Sequence, residues 1–389
     1  MPIPRRTRII NSSRVIRELW VNGAMSRAAI AKSLDMNKSS MTQIVEELMK
    51  YHVLEEGSII QSGPKGGRKA TELKLNKDWF YIMGIELRSD SYTALAIDIE
   101  GTILYSKTVP QGFSAPHLVK DLDKLVEHLI EETAFLNRPL MGVGIGFSGI
   151  IDTEKQIIIK SISLEFDKPF DFGKSIRGKY NFPILLENDA NCGAWGEVVQ
   201  HRRKQLKNFL FILVEFWKHY HDDLGRPRPT IGIGMGFNGK IYHGSQWASG
   251  EFRSMFNTDV NNHEQIALPS PDSTWDITED QAALRSYIEE LCSHVAFLAN
   301  VLDIGTIFIG GDTEQFESFI IDLLHQKIES NSMNKNDMHH HTINMSSLGY
   351  HAVSYGAAAL VLDTVFMNLE PLDHFEKSRL KPLFFMDET

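Results

Sequence analysis

A run of small polar and basic side chains lies at the start of a predicted helix that begins after Asn37. The run consists of Lys38, Ser39, Ser40, Thr42 and Gln43. Ammonium, hydroxyl and amide groups of this size can hydrogen-bond to phosphates and base edges when the N-terminal end of a helix enters the major groove of DNA. Gln43 is the best candidate for a base contact. Taken alone, each side chain could equally be a solvated residue on an exposed face.

The residues around this run predict three short helices at the start of the chain. Apolar residues recur at helical spacing up to Gly23, which ends the first helix. Ser26 can cap a second helix and Asn37 a third, because Ser and Asn accept hydrogen bonds from the free N–H groups of a first turn. This spacing predicts a helix-turn-helix. The alternative is a small helical dimerisation module, since any three-helix core has apolar residues at this spacing.

A glycine-rich basic hairpin follows the helices and argues against the dimerisation module. Residues 53–61 and 70–75 predict two strands around residues 62–68, which read SGPKGGR. No three-helix core requires such a tip. Its predicted DNA-contacting residues are Lys65, Gly66, Gly67 and Arg68. A basic wing beside a reading helix suits contacts to phosphates and the minor groove, so we expect a winged helix-turn-helix domain over residues 1–78.

Charge divides the chain in the same way. The 389 residues carry a formal charge of -10, yet residues 1–70 hold 12 Lys and Arg against 6 Asp and Glu, which leaves 28 against 44 for the rest. A head of +6 on a body of -16 favours a nucleic-acid partner for the head. No apolar run could span a bilayer, no apolar leader follows Met1, and the two cysteines lack paired spacing. We therefore expect a soluble cytoplasmic protein with two ordinary thiols.

After Asn76 the pattern changes to strands alternating with helices, which predicts an α/β body. Five segments of this body resemble, in order and spacing, the motifs of the ROK family, whose name covers repressors, open reading frames and kinases. They are GVGIGFSGIID (142–152), LENDANCGAWGE (186–197), IGMGFNGKIYHG (233–244), SGEF (249–252) and IFIGGD (307–312). The resemblance implies a two-lobed actin-like, hexokinase-like (ribonuclease H-like) fold. Lobe 1 would comprise residues 79–187 plus 352–389, and lobe 2 residues 188–351.

The resemblance also implies a sugar site between the lobes. A sugar presents several hydroxyls at fixed angles, so its pocket needs carboxylate acceptors and an amide that both donates and accepts. The matching residues are Ser148, Gly149, Asn188, Asp189, Glu251 and Ser254. In the family's kinases the residue matching Asp189 is the general base. Without the resemblance, Asp189 would be read as a turn residue and Glu251 as a solvated acid.

Two departures from the family argue against phosphoryl transfer. The first phosphate turn of ROK kinases reads Asp-x-Gly-Gly-Thr, and here the aligned residues 86–90 read ELRSD. Without the glycines, the backbone N–H groups cannot fold closely around phosphate, and a carboxylate at Asp90 repels it. The second turn is replaced by residues 217–229, which we interpret either as an insertion that fills the nucleotide site or as a surface loop. We expect no ATP binding and no catalytic residue.

The family's zinc site is also expected to be absent. Its histidine is replaced by Ser254, and residues 255–280 contain no cysteine. The run of histidines at 339–341 follows a polar stretch, and adjacent residues do not easily converge on one ion. We expect neither a metal nor another cofactor.

The sequence thus predicts a transcriptional regulator, a repressor of carbohydrate-metabolism genes controlled by a sugar or sugar phosphate. Its partners would be a double-stranded DNA operator, the effector and a second copy in a homodimer or dimer of dimers, without a membrane. An ATP-dependent sugar kinase with a DNA-binding appendage is the alternative. A third hypothesis is a sugar-binding protein with a vestigial head.

Overall fold

The computed structural model describes residues 5–60, 70–221, 227–258, 264–268, 277–313, 316–332 and 341–366. The first of these residues form the three predicted helices, in which Ser26 accepts a hydrogen bond from the Ala29 N–H and Asn37 accepts one from the Ser40 N–H. Both predicted caps are confirmed. The elements of this head are α1 (Arg5–Asn22), β1 (Met25–Ser26), α2 (Arg27–Ser33), α3 (Lys38–Lys50), β2 (Leu54–Ile60) and β3 (Ala70–Leu75), with strand order β1-β3-β2. The wing tip lies outside the described residues.

Lobe 1 is built on a five-stranded sheet with strand order β11-β7-β4-β5-β6. From the central strand β4 to the edge strand β6, neighbouring strands are antiparallel. On the other side of β4, strands β7 and β11 run parallel to it. A small sheet, β10-β9-β8, lies beside them. The elements are β4 (Tyr81–Leu87), β5 (Tyr92–Ile97), β6 (Ile103–Val109), α4 (Leu118–Glu132), β7 (Leu140–Phe147), β8 (Ile150–Asp152), β9 (Ile157–Lys160), β10 (Phe170–Asp171), α5 (Phe172–Ile176) and β11 (Ile184–Asn188).

Lobe 2 repeats this topology. Its sheet has the order β14-β13-β12-β15-β16, with β12, β13 and β14 antiparallel and with β15 and β16 parallel to β12. Two sheets of equal topology are the two-lobed arrangement that the motifs implied. The elements are α6 (Asp189–Gln200), β12 (Phe209–His221), β13 (Pro227–Phe237), β14 (Lys240–Ile241), α7 (Gln281–Val301), β15 (Thr306–Gly311), α8 (Glu317–Asn331) and β16 (Thr342–Met345), followed by α9 (Ala352–Phe366), which returns to lobe 1.

The stretch interpreted as an insertion is partly regular structure. Strands β12 and β13 continue to His221 and from Pro227, and Phe216 pairs with Pro229. This corrects the interpretation of residues 217–229 as an insertion or a surface loop, which was expected because two prolines close together predict a loop. Proline is tolerated in a strand whose N–H is not needed by a neighbour, and β14 pairs with β13 only at residues 236–237. Residues 222–226 are outside the described part of the chain.

Helix α9 packs directly on the backbone of the lobe 1 sheet. A methyl carbon at Gly144 would lie 1.8 Å from the Ala357 carbonyl oxygen, and one at Gly84 would lie 1.9 Å from the Ser354 carbonyl oxygen. Only glycine permits these contacts, because both obstacles are backbone atoms that cannot rotate away. The small residues of α9 and the glycines of β4 and β7 therefore set how closely the helix approaches the sheet.

We expect Gly144→Ala to lower the free energy of unfolding by about 3 kcal/mol or more, because the added carbon forces α9 away from β7. Gly305→Ala is the matched control, since a methyl carbon there meets nothing within 4 Å. Urea denaturation followed by circular dichroism measures both. Equal stabilities of the two variants would contradict this account of the packing.

Candidate functional site

Three parallel strands of lobe 1 end at the same edge of the sheet. Glu86 of β4 pairs with Gly146 of β7, and Phe147 of β7 pairs with Asn188 of β11. The segments that follow these strands therefore meet, and ligands of open α/β sheets bind at this kind of edge. At this edge lie Arg88 of the phosphate-turn position and the predicted site residues Ser148, Gly149, Asn188 and Asp189.

Asn188 holds two of these segments together. Its side-chain oxygen caps α6 by accepting the Asn191 N–H at 3.1 Å, and its Nδ2 donates to the Gly149 carbonyl at 3.1 Å. Ser148 next to it is exposed, and its carbonyl oxygen accepts the Ser161 hydroxyl at 2.6 Å. The structure thus brings Ser148, Gly149 and Asn188 together and gives the amide a positioning task at the mouth of the cleft.

Asp189 is the first residue of α6, and its carboxylate is half-buried. Burial raises the pKa of Asp189 to about 6, and the negative charges of Glu251 and Glu86 act in the same direction. The Ala190 N–H, which donates to Oδ1 at 2.8 Å, and the charge of Arg88 oppose the rise in this pKa. Asp189 is therefore a hydrogen-bond acceptor whose ionisation falls within the pH range of ordinary assays.

Glu251 lies across from Asp189 on lobe 2. Its backbone forms an antiparallel bridge with Gly232, and a methyl carbon at Gly232 would be 3.7 Å from Asp189 Oδ1. The Glu251 side chain is exposed on the whole, yet partial burial raises its pKa, with Lys160 opposing. Two predicted carboxylates of lobe 2 are thus brought near each other.

Ser254 is placed differently from these residues. It is buried, its hydroxyl lies 3.0 Å from His294 Nε2, and the Phe256 N–H donates to its oxygen at 3.0 Å. Burial lowers the pKa of His294. The described contacts of the Ser254 hydroxyl are therefore within lobe 2, so its expected contact with a sugar stays a prediction.

A hydrogen-bonded contact between Glu187 and His243, next to Asp189, was missed from the sequence. Glu187 accepts hydrogen bonds from the Asn188 N–H at 2.9 Å and from Asn191 Nδ2 at 3.2 Å, and it lies 2.8 Å from His243 Nε2. Burial alone would lower the pKa of His243, but the hydrogen bond and charge of Glu187 raise it. Glu187 lies in the motif at residues 186–197 and His243 in the motif at residues 233–244. Their places in these motifs were the sequence signal that could have identified them. Trp247 lies beside His243, with ring centres 5.2 Å apart.

A second missed cluster spans the two lobes. Arg88 Nε lies 2.6 Å from Glu86 Oε1, and Arg88 NH2 lies 2.9 Å from Glu215 Oε1 on β12 of lobe 2. Burial raises the pKa of both glutamates, and the charge of Arg88 opposes it. Among the described residues, Glu86 Oε2 has no hydrogen-bond partner. At the position where ROK kinases have their first phosphate turn, this chain has the guanidinium of Arg88, which is bound by Glu86 and Glu215.

The reading helix presents most of its predicted contact residues to solvent. Lys38, Ser39 and Gln43 are exposed, whereas Ser40 and Thr42 are partly buried. The Thr42 hydroxyl donates to the Lys38 carbonyl at 2.9 Å. The opposite face of α3 packs into the head through Met41, Ile44, Val45 and Leu48. The predicted contacts Lys65, Gly66, Gly67 and Arg68 lie outside the described residues.

Neither a metal cluster nor a membrane span is found in the part of the chain that the structure describes. Its His, Cys, Asp and Glu side chains form no group of three or more that could hold a metal ion. Within the same part, no helix has both the length and the apolar character needed to cross a bilayer. The histidines at 339 and 340 are not in the described ranges, and His341 Nδ1 lies 2.7 Å from the Ile304 carbonyl oxygen.

Residues 82–255 match the model of the ROK family. The chain is 28% identical over 385 residues to the xylose repressor of Bacillus subtilis (strain 168), which covers 91% of this chain and 95% of that protein. The fold is similar to that of a ROK family transcriptional regulator described as a homologue of the E. coli MLC protein, with a TM-score of 0.72, 18% identity and coverage of 93% of this chain and 98% of that one.

The fold is also similar to that of a ROK family glucokinase from Streptomyces griseus in complex with glucose and AMPPNP. The TM-score is 0.54 at 16% identity, with coverage of 72% of this chain and 98% of that one. The regulator thus covers more of this chain than the kinase does, 93% against 72%. The ROK family model thus matches residues 82–255, and the similarities to the xylose repressor and to the ROK family regulator extend over nearly the whole chain.

Proposed function

We propose that this protein is a DNA-binding repressor whose affinity for its operator is controlled by a sugar bound at the start of α6. One observation carries the proposal. A winged head is joined to a two-lobed body in which Asp189 and Glu251 lie near each other on lobe 2, while Arg88 and its glutamates stand at the position of the phosphate turn. The relative named xylose repressor supports it along nearly the whole length.

The effector that suits this cleft is an uncharged sugar. Among the described residues, five carboxylates influence one another near the guanidinium of Arg88, with Lys160 near Glu251; they are Glu86, Asp189, Glu215, Glu251 and Asp312. An anionic phosphate group is repelled by such a set, whereas sugar hydroxyls donate hydrogen bonds to it. Of the two effectors that the sequence left open, we favour the free sugar, and D-xylose is the probe because of the named relatives.

DNA binding rests on α3 and the wing. The head is net basic, and α3 exposes Lys38, Ser39 and Gln43 on the face away from its core. A helix-turn-helix gains affinity and specificity when a dimer reads two half-sites about one DNA turn apart. We propose a homodimer that acts on a double-stranded operator in the cytoplasm, on genes of carbohydrate use.

A sugar kinase is the competing function, and the fold alone does not separate the two. Phosphoryl transfer needs backbone donors and a cation site around the triphosphate. The β4–β5 turn is instead closed by the Arg88 N–H donating to the Ser91 carbonyl at 2.9 Å, and the Arg88 side chain is bound by Glu86 and Glu215. These contacts support a sensor without phosphoryl transfer.

A coupled assay with Mg·ATP and a panel of aldoses tests that distinction. We expect no turnover of any sugar above the rate of the buffer, because the cleft offers carboxylates where phosphates would bind. Turnover in the range typical of kinases, about 1–100 per second, would overturn the proposed function. Heat-denatured protein at equal concentration supplies the baseline.

D-Xylose is expected to weaken the binding of a duplex that the protein has selected from a random pool, by about 5- to 150-fold. Asp189→Asn should bind the same duplex with unchanged affinity and lose this response, because the amide cannot replace an ionised acceptor. Asp167→Asn is the control, since that carboxylate is exposed on lobe 1. Fluorescence anisotropy with and without sugar measures all three proteins.

The affinity for D-xylose should depend on pH in the wild type and not at this site in Asp189→Asn. Because the pKa of Asp189 is raised to about 6, the wild-type affinity for D-xylose should fall as the pH drops below about 6 and the carboxylate takes up a proton. Asp189→Asn has no such group and should show a flat profile at this site. A sugar response retained by Asp189→Asn would show that the effector binds elsewhere.

Two substitutions on α3 should separate sequence reading from charge. Gln43→Ala should weaken binding to the selected duplex by about 5- to 100-fold and leave binding to random DNA unchanged, as expected for a base contact. Lys38→Met should weaken binding to every duplex and reduce the slope of log affinity against log salt by about one. Lys124→Met, an exposed cation of lobe 1, is the control. Identical effects of the first two variants would contradict these roles.

A further inference from the structure

Helix α6 connects the candidate sugar site to the head. It begins at Asp189 in the candidate site and ends at Gln200, and Arg202 follows after the C-cap residue His201. The Arg202 NH1 donates to the Val199 carbonyl at 3.1 Å, so the guanidinium is tied to the end of the helix. A displacement of α6 at its start is thus also a displacement of Arg202.

Arg202 and Trp20 form a clasp between the body and the head. Arg202 Nε donates to the Trp20 carbonyl at 3.1 Å, and the guanidinium carbon lies 5.1 Å from the centre of the Trp20 ring. The Trp20 indole N–H in turn donates to the Ile99 carbonyl of lobe 1 at 2.8 Å, and this bond is buried. Burial lowers the pKa of Arg202, which reflects how far the clasp is removed from water. Cation–π contacts gain strength when they are desolvated.

The rest of α6 is held so closely that it has no room to deform. A methyl carbon at Gly356 of α9 would lie 1.6 Å from the Cys192 carbonyl oxygen, and one at Gly234 of β13 would lie 2.4 Å from the Ala190 carbonyl oxygen. Packed backbones of this kind shift as units, because close-packed interiors transmit strain. The helix therefore contacts lobe 1, lobe 2 and the cleft along its length.

We propose that the clasp of Arg202 on Trp20 transmits sugar binding to the DNA-binding head, so that Arg202 is a positioning residue for the response and contacts neither ligand. The inference rests on the proposed function. A sugar that binds between Asp189 and Glu251 of lobe 2 and the predicted site residues Ser148 and Gly149 of lobe 1 favours one spacing of the lobes. Helix α6 moves with that spacing, and Arg202 moves α1. A ligand changes DNA affinity only through a difference between two states, and the clasp is the contact through which that difference reaches the head.

The clasp is tested by measuring coupling separately from binding. For wild type and for Arg202→Met, the affinity for the selected duplex is measured with and without saturating D-xylose, and D-xylose affinity is measured by calorimetry. Methionine keeps the length and apolar stem of arginine but removes the donor and the cation. We expect both single affinities to stay within about threefold of wild type, and the ratio of the two duplex affinities to fall from about 10 or more to below about 2.

Arg177→Met is the matched control, because this arginine is exposed on lobe 1, and its ratio should equal that of wild type. Trp20→Phe is a milder second variant, since it keeps an aromatic ring beside Arg202 while it removes the N–H that donates to Ile99 and reduces the ring area, and it should reduce the ratio partly. An unchanged ratio in Arg202→Met overturns the inference. Loss of duplex binding without sugar in both clasp variants also overturns it, since the clasp would then only hold the head in place. A wild type without any sugar response refutes the proposed function instead.

Discussion

The burial of α6 is the constraint on which the rest of the molecule depends. The helix lies between the β12–β13 side of lobe 2 and the returning helix α9, and almost every residue from Ala190 to Gly196 is buried or half-buried. A helix that is covered on several sides can be packed this closely only if small residues let its neighbours approach. Its N-cap Asn188 then lies at the edge where the strands of lobe 1 end. The position of α6 therefore bears on the candidate sugar site, on the spacing of the lobes and on the position of the head.

Charge in the cleft decides how the shared fold is used. A buried ion pair adds little net stability, but loss of one partner leaves a charge without compensation at a cost of about 3–5 kcal/mol. Arg88 is therefore difficult to displace from between Glu86 and Glu215, and an incoming triphosphate would have to do so among further carboxylates. A fold also found in a glucokinase thus carries a site that suits hydroxyl donors.

Local patterns in the sequence predicted what local forces determine. The caps Ser26 and Asn37 were predicted correctly, since capping depends on adjacent residues, and so was the two-lobed fold that the motifs implied. The sugar contact of Asn188 stays a prediction. The extended β12–β13 hairpin was not predicted, because proline and charge indicate a loop. The contacts of Arg88 with Glu215 and of Arg202 with Trp20 join residues 127 and 182 positions apart, and no local pattern reports such pairs.

The central claim is that sugar and operator bind to one protein with opposite preferences for its conformation. Linkage requires that the factor by which D-xylose weakens duplex binding equals the factor by which the duplex weakens D-xylose binding. Calorimetric titration of D-xylose into the free protein and into its complex with the selected duplex tests this directly. The account predicts that the sugar affinity in the complex is lower by the same factor, about 10-fold or more. Equal sugar affinities in the two titrations would contradict it.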